Sequence, residues 1–260
     1  MKTEKLIHEI IPVGLLQCNC SILGDPITHE AIVVDPGDQV DLILDMLQRH
    51  KLKVRAIVST HTHIDHVGGL ALLHRATGAP VLIHESDMPL YDNLEMQAEW
   101  LGVPTPETMK IGDFVKEGDA LRWGGFAARV LHTPGHTQGS ISLLIEPGAS
   151  ALTNESVELT EPKPKSAATF LSPATHESPS SAGDSNEIGI LSVGRLIAGD
   201  TLFAGSIGRT DLPGGSYPQI ISSIREKLLV LPDEVIVFPG HGGPTTIGEE
   251  RAENPFLRPG

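Results

Sequence analysis

The stretch that most constrains this chain of 260 residues is Ser59–Gly69, which reads STHTHIDHVGG. It directly follows the apolar run Val54–Val58, which is typical of a buried strand. A loop that leaves a strand can fold so that two imidazoles converge on one ion while later donors turn toward another. The stretch places four side chains of metal-ligand type before a Gly-Gly pair. Such side chains gain nothing from packing on one another, so the stretch indicates a metal site rather than a solvated loop. The four side chains are His61, His63, Asp65 and His66.

Three later segments carry similar donors beside small residues. They are residues 134–136 (PGH), 199–200 (GD) and 239–241 (PGH). Each lies at a strand end or in a turn between predicted strands, and the glycines let the backbone approach closely. With the opening cluster these segments supply seven donors, enough for two ions.

The remaining sequence predicts mixed α and β structure, with an opening β-meander followed by alternating strands and helices. Strands are predicted at 5–13, 19–23, 31–34, 54–58, 80–84, 140–146, 188–198 and 234–238, with short antiparallel strands between 111 and 131. Helices are predicted at 40–47, 70–76, 89–101 and 217–229. The segment 85–110 stays open, because it either covers a site or only edges the fold. Asp35, at a strand end, is either a turn residue or a partner for a metal-bound imidazole.

Composition excludes several classes of function. The formal net charge of −14 argues against a nucleic-acid partner, which normally requires a basic face. No apolar run approaches the roughly 20 residues of a membrane helix, so no membrane span is expected. Residues 1–11 are charged and amphipathic without a following cleavage site, which favours a cytoplasmic location. Cys18 and Cys20 are too few for a thiolate metal site and are expected to be a buried apolar pair.

Residues 149–186 differ from the rest of the chain. They are rich in Ser, Thr, Ala, Pro and Glu and contain almost no large apolar side chains. Such a composition cannot form a core, so we expect a disordered or weakly ordered surface insert.

At this point a resemblance to a known family is plain. The segments THTHIDH, PGHT, AGDTLF and FPGHG together resemble the metallo-β-lactamase superfamily. Within it, GDTLFAGSIGRTDLPGG and GEERAENPF are similar to the glyoxalase II-like hydrolases of the short bacterial type. The resemblance covers nearly the whole chain apart from the insert. It implies one domain over 1–260, α/β (α+β) in class, with a four-layer αββα sandwich and a metal site along one edge of the paired sheets.

By position, the resemblance also implies a ligand set. One ion would take His61, His63 and His136, the other would take Asp65, His66 and His241, and Asp200 would bridge them. The ions would be two divalent cations, zinc first, with iron or manganese as alternatives. His132 competes with His136, and the Pro-Gly turn of the family motif favours His136. A histidine at 66, in place of cysteine or arginine, argues against a true β-lactamase.

The expected chemistry is hydrolysis of a small-molecule thioester such as S-lactoylglutathione. Two cations about 3.5 Å apart hold a bridging water and make hydroxide available at neutral pH. Asp65 is the candidate catalytic residue, because its carboxylate can accept the proton of that water. Arg209 is the candidate substrate-binding residue, matching a basic residue that contacts the glutathione carboxylate; a surface salt bridge is the alternative.

Two other functions compete with this hypothesis. A mononuclear iron persulfide dioxygenase is the first, because such relatives share the GRTD segment and similar His/Asp ligands. A metal-binding module without hydrolase activity is the second, and the filled ligand positions disfavour it. The acyl group, the thiol carrier, the native metal and the oligomeric state are not predicted.

Overall fold

The N-terminal half of the chain builds a six-stranded sheet, in a computed structural model that describes residues 6–146, 156–157 and 193–258. In spatial order its strands are β1 (Ile7–Val13), β2 (Cys18–Gly24), β3 (Glu30–Val34), β4 (Lys53–Val58), β5 (Val81–His84) and β6 (Asp113–Val115). The first three strands form the predicted antiparallel meander, and the strands from β3 to β6 pair in parallel. Because parallel strands share a direction, the carboxyl ends of β3, β4 and β5 lie at one edge of the sheet.

The C-terminal half contributes most of a second, seven-stranded sheet. Its strands are β7 (Ala120–Trp123), β8 (Phe126–His132), β9 (Ile141–Ile145), β10 (Ser156–Val157), β11 (Arg195–Gly199), β14 (Ile236–Pro239) and β15 (Thr245–Thr246), and β12 (Leu202–Phe203) with β13 (Ser206–Ile207) forms a separate hairpin. The spatial order is β10-β7-β8-β9-β11-β14-β15. β11 and β14 are parallel neighbours, so the segments that follow them leave the sheet side by side.

Seven α-helices are present in the described part of the chain. They are α1 (Val40–Arg49), α2 (Ile64–Val67), α3 (Leu70–Thr77), α4 (Met88–Tyr91), α5 (Leu94–Leu101), α6 (Tyr217–Ser223) and α7 (Ile247–Glu253). The single helix predicted over 89–101 is instead α4 and α5, preceded by a 3₁₀ turn at Glu85–Asp87. The helix predicted over 217–229 is α6 followed by a π-helical turn at Ile224–Leu228.

Three apolar clusters hold four layers together. One lies between the outer face of the first sheet and the helices α1, α3 and α5. The second fills the space between the two sheets, and the third lies between the second sheet and the helices α6 and α7. β9 (ISLLI) is buried along its whole length and is apolar apart from Ser142, because both of its faces are covered. The predicted αββα sandwich is confirmed.

Two further expectations from the sequence concern the insert and membrane-spanning segments. The insert predicted at 149–186 lies outside the described residues, except that Ser156–Val157 pairs in parallel with β7. None of the helices in the described ranges is long and apolar enough to cross a membrane.

The core between the sheets allows a test of the fold. Leu121 is fully buried there, so Leu121→Ala is expected to lower the free energy of unfolding by about 2–5 kcal/mol, because it removes buried methyl groups and leaves a cavity. Urea unfolding in the presence of a chelator measures this without a contribution from metal binding. Leu42→Ala, at a position 47% exposed on α1, is the control and should cost far less. Equal losses for the two variants would contradict the packing described here.

Candidate metal centre

Both sheets deliver donor side chains to the same edge of the sandwich. The loop after β4 carries His61 in a bend and His63 in extended backbone, and α2 begins at Ile64. Because the chain becomes helical at that point, the next two donors, Asp65 and His66, turn away from the first two. The remaining donors follow β8, β11 and β14 of the second sheet.

The donor atoms fall into groups whose members all lie within 4.8 Å of one another. The first group, called here the trihistidine set, is His61, His63 and His136. The second group, the mixed set, is Asp65, His66 and His241. Asp200 lies between them: its carboxylate oxygens are 3.7 Å from Nε2 of His136, 3.5 Å from Nε2 of His66 and 3.7 Å from Nε2 of His241. A third group, His61, His66 and Asp200, overlaps both sets. The structure thus brings all seven predicted side chains together, and their division between two ions stays a prediction.

Main-chain carbonyls fix the tautomers of two of the histidines. Nδ1 of His136 is 2.8 Å from the carbonyl oxygen of Arg209, and Nδ1 of His241 is 3.0 Å from that of Leu16. A carbonyl oxygen can only accept a hydrogen bond, so each Nδ1 carries the proton. Each Nε2 therefore faces the centre and offers a lone pair to a cation when the ring is neutral.

A carboxylate holds the ring of His66 at Nδ1, while Nε2 of the same ring faces Asp200. This Nδ1 lies 3.0 Å from Oδ2 of Asp35 and 3.4 Å from Sγ of Cys18. Asp35 also accepts hydrogen bonds from the backbone N–H and the hydroxyl of Thr60, both at 2.7 Å. Asp35 is therefore the partner of an imidazole as well as a turn residue with φ of 54°. Cys18 and Cys20 are buried free thiols, and Cys18 contacts the ring away from the donor atom.

Three observations indicate that the centre fits cations. Two buried atoms that face it, Nε2 of His61 and Oδ1 of Asp200, have no hydrogen-bond partner among the described residues, which is costly unless an ion satisfies them. Nδ1 of His63 and Nε2 of His136 are only 2.9 Å apart. A Cβ on Gly240 would fall 2.2 Å from the Asp200 carboxylate, so only glycine leaves this space open. Imidazole and carboxylate donors suit zinc, iron and manganese.

The electrostatic environment differs between the two donor sets. Burial, reinforced by His136, lowers the pKa of His63 to about 3, and burial also lowers the pKa values of His61 and His136. These rings are therefore neutral at pH 7 and able to bind a cation.

The mixed set contains both signs of charge. Burial opposes ionisation of Asp65, but the charge of His66 and a hydrogen bond from His241 hold its pKa below the ordinary value, so Asp65 is a carboxylate. Burial also opposes protonation of His66, but Cys18, Asp200 and Asp35 raise its pKa well above the ordinary value, and the hydrogen bond to Asp65 raises the pKa of His241. A cation that binds the mixed set must therefore displace protons from these two rings.

Two other residues considered from the sequence, His132 and Arg209, have side chains outside the two donor sets. The ring of His132 stacks on His84 with centroids 4.0 Å apart, and its Nε2 is 2.9 Å from the carbonyl oxygen of Gln138. The guanidinium of Arg209 is exposed and forms two hydrogen bonds, at 2.9 and 2.8 Å, with the carboxylate of Asp211. In the structure Arg209 thus has the surface ion pair that was the alternative, and it is the carbonyl of Arg209 that contacts the centre.

Comparison with known proteins agrees with this geometry. The model of the Metallo-beta-lactamase superfamily matches residues 13–153 and 155–241. The chain belongs to this superfamily. Among curated members it is 35% identical over 252 residues to the hydroxyacylglutathione hydrolase GloC of Haemophilus influenzae, covering 96% of this chain and 97% of that protein.

Solved structures from the superfamily have similar folds. The BLEG-1 B3 metallo-beta-lactamase has a TM-score of 0.73 and 30% identity, covering 96% of this chain and 99% of that one. TTHA1623 in a di-iron-bound form has a TM-score of 0.69 and 31% identity, covering 96% and 100%. ETHE1 from Myxococcus xanthus has a TM-score of 0.66 and 26% identity, covering 96% and 83%. The match to a named β-lactamase weakens the argument that was drawn from His66.

An apolar cleft lies beside the mixed set, at the edge of the sandwich where the donor side chains meet. It has a volume of about 340 Å³ and reaches Asp65. The turn between β1 and β2 forms one wall with Leu15 and Leu16, while Leu101 and Pro104 form the opposite wall. Sequence patterns did not reveal this cleft, because its walls come from segments far apart in the chain.

Proposed function

We propose that this protein is a dinuclear metal hydrolase that cleaves thioesters such as S-lactoylglutathione. The observation that carries the proposal is the division of seven donors into two sets joined by Asp200, at an edge reached by an apolar cleft. The trihistidine set would hold one divalent ion and the mixed set the other. The similarity to a hydroxyacylglutathione hydrolase over nearly the full length of both chains supports the choice of a thioester.

When bound, two divalent cations supply Lewis acidity and lower the pKa of water toward 7. The residues of the chain provide the rest. Asp65 is ionised, and its Oδ2 lies 3.1 Å from Nε2 of His241, so the carboxylate is placed to accept a proton at the centre. A thiolate is already a stable leaving group, so no covalent nucleophile is needed.

The organic parts of the substrate need surfaces of their own. The apolar cleft beside Asp65 suits one part of a thioester, because it removes apolar area from water. Arg209 is proposed to bind a carboxylate of the thiol carrier, which requires its exposed guanidinium to exchange Asp211 for the substrate. Exposed ion pairs contribute little free energy, so this exchange is inexpensive.

A second candidate function is an iron persulfide dioxygenase. A similar chain exists in a di-iron-bound form, and ETHE1 from Myxococcus xanthus is 26% identical over 96% of this chain. Two complete donor sets instead of one favour the dinuclear hydrolase. Hydrolysis of a β-lactam belongs in the same test, because of the similarity to BLEG-1.

Metal removal combined with a substrate panel tests the proposal. Chelated protein is expected to lose at least about a hundredfold in kcat/KM on S-lactoylglutathione, and two equivalents of zinc should restore it, because the hydroxide depends on the cations. The panel adds a lactone, a phosphodiester, a β-lactam and glutathione persulfide under oxygen, with metal content measured on each preparation. Full thioesterase activity without metal would refute the proposal. Sulfite production with one iron per chain would establish the dioxygenase, and a metallated protein inert on the whole panel would be a binding module.

A further inference from the structure

A buried carboxylate behind the centre joins two of the loops that carry donors. Asp87, at the end of the 3₁₀ turn after β5, is 2% exposed. Its Oδ2 accepts hydrogen bonds from the N–H of Thr62 at 3.0 Å and the hydroxyl of Thr137 at 2.9 Å, and its Oδ1 accepts one from the N–H of Gly139. The Thr62 hydroxyl also donates to the main-chain carbonyl of Asp87 at 2.9 Å. Asp87 therefore ties the loop after β4 to the loop after β8.

The residues that Asp87 holds are neighbours of one donor set only. Thr62 stands between His61 and His63, and Thr137 directly follows His136. These three histidines are the whole trihistidine set. A single carboxylate thus determines how the two halves of that set are placed relative to each other.

Gln97 of α5 fixes the same loop from a second direction. Its Oε1 accepts a hydrogen bond from the N–H of Ile64 at 2.9 Å, and its Nε2 donates to the carbonyl of Leu90 at 2.9 Å and weakly to that of Thr62 at 3.4 Å. His63 is therefore held on both sides along the chain. Of the segment 85–110, left open by the sequence, Asp87 and Gln97 thus support the loop that carries the donors, while residues 101–107 contribute to the lining of the cleft.

The mixed set has other supports. Asp35 contacts His66, and the carbonyl of Leu16 contacts His241. Asp35 also accepts two hydrogen bonds from Thr60, the residue before His61, so it supports both sets. The Asp87 carboxylate, in contrast, meets only neighbours of the trihistidine set.

We propose that Asp87, assisted by Gln97, is the positioning residue of the trihistidine set. The inference rests on the proposed dinuclear centre. Every group that meets the Asp87 carboxylate is able to donate a hydrogen bond, and two of them are backbone N–H groups that cannot do anything else. Asparagine offers only one accepting end, so Asp87→Asn turns an NH₂ group toward one of those donors.

Zinc titration of the full-length protein tests this role of Asp87. The wild type is expected to bind two zinc ions, and Asp87→Asn to bind one as before and the other about 10–100 times more weakly. Adding His63→Ala to Asp87→Asn should leave the retained ion unaffected, while adding His241→Ala should remove it. Asp35→Asn should instead weaken both ions, because Asp35 contacts His66 and also holds Thr60 beside His61. Selective weakening of one ion identifies which set is damaged, and a general loss of stability would not produce it.

Asp25→Asn is the matched control. Asp25 is also 2% exposed and accepts backbone N–H bonds from Ile27, Thr28 and Gly125, but it lies at the opposite edge of the sandwich. It should lower stability and leave both zinc affinities unchanged. If Asp87→Asn does not fold, Gly139→Ala replaces it, because the new Cβ would lie 2.6 Å from the Asp87 carboxyl carbon.

Two unchanged affinities in Asp87→Asn, or an equal loss of both, would overturn the proposal for Asp87. A wild-type protein that does not bind two zinc ions would instead refute the dinuclear centre itself. The two failures are therefore distinguishable.

Discussion

Asp200→Asn is expected to reduce kcat/KM on a thioester by about a thousandfold or more and to reduce the zinc content below two ions per chain. The oxygens of this carboxylate face both donor sets, and Oδ1 has no hydrogen-bond partner among the described residues. Asparagine has a similar shape, but it is neutral and presents an NH₂ group to one of the two sets. Steady-state kinetics and metal analysis on the same preparations measure both effects.

Asp45→Asn is a suitable control for this substitution. Asp45 is an exposed carboxylate on α1, so the variant loses the same unit of charge without touching the centre. It should keep full activity and both zinc ions. If Asp200→Asn behaves in the same way as Asp45→Asn, Asp200 does not bridge two ions.

Gly240→Ala is expected to exclude metal while leaving the fold intact. The added Cβ would lie 2.2 Å from Oδ1 of Asp200 and 2.7 Å from Cε1 of His66, in the space between donors from the two sheets. We expect at least about a hundredfold loss of kcat/KM, on the scale of removing one catalytic interaction. Zinc titration should show weaker binding, and urea unfolding in chelator should remain close to that of the wild type.

Gly243→Ala, three residues along the same loop, provides the comparison. A Cβ there meets no atom within 4 Å, and the backbone of Gly243 is not left-handed. This variant should match the wild type in zinc affinity and activity. Equal effects at the two glycines would show that the loop, and not the space beside Asp200, is sensitive to substitution.

The sequence allowed the candidate donors to be chosen, because their chemistry is specific and their positions are local, and the structure places their side chains close together. Histidines and aspartates that recur beside glycines at the ends of apolar runs are typical of metal ligands, and strand ends meet at a shared edge whatever the sheet order. The split between Asp65 and the histidines before it also has a local cause, since α2 begins at Ile64. The layered fold followed from the alternation of strands and helices together with the family resemblance.

The supports of the centre could not be predicted in the same way. Asp87 and Gln97 lie in a segment whose sequence indicates only turn and helix, and the residues that they hold in the donor-bearing loops are 25 to 52 residues away along the chain. One feature of the sequence did point to Asp87, which closely follows the strand β5. Because β5 is a parallel neighbour of β4, the strand before the histidines, both strands end at the same edge of the sheet. The hydrogen bond from His136 to the main-chain carbonyl of Arg209 could not be predicted from the sequence, because every residue has such a carbonyl whatever its side chain.

Each donor set draws on both sheets of the sandwich. The trihistidine set takes two residues from the loop after β4 and His136 from the loop after β8, while the mixed set takes two from α2 and His241 from the loop after β14. An ion in either position would therefore fasten one half of the molecule to the other at its open rim. Because a ligand that binds only the folded state stabilises it, metal supply would set the lifetime of this protein as well as its turnover.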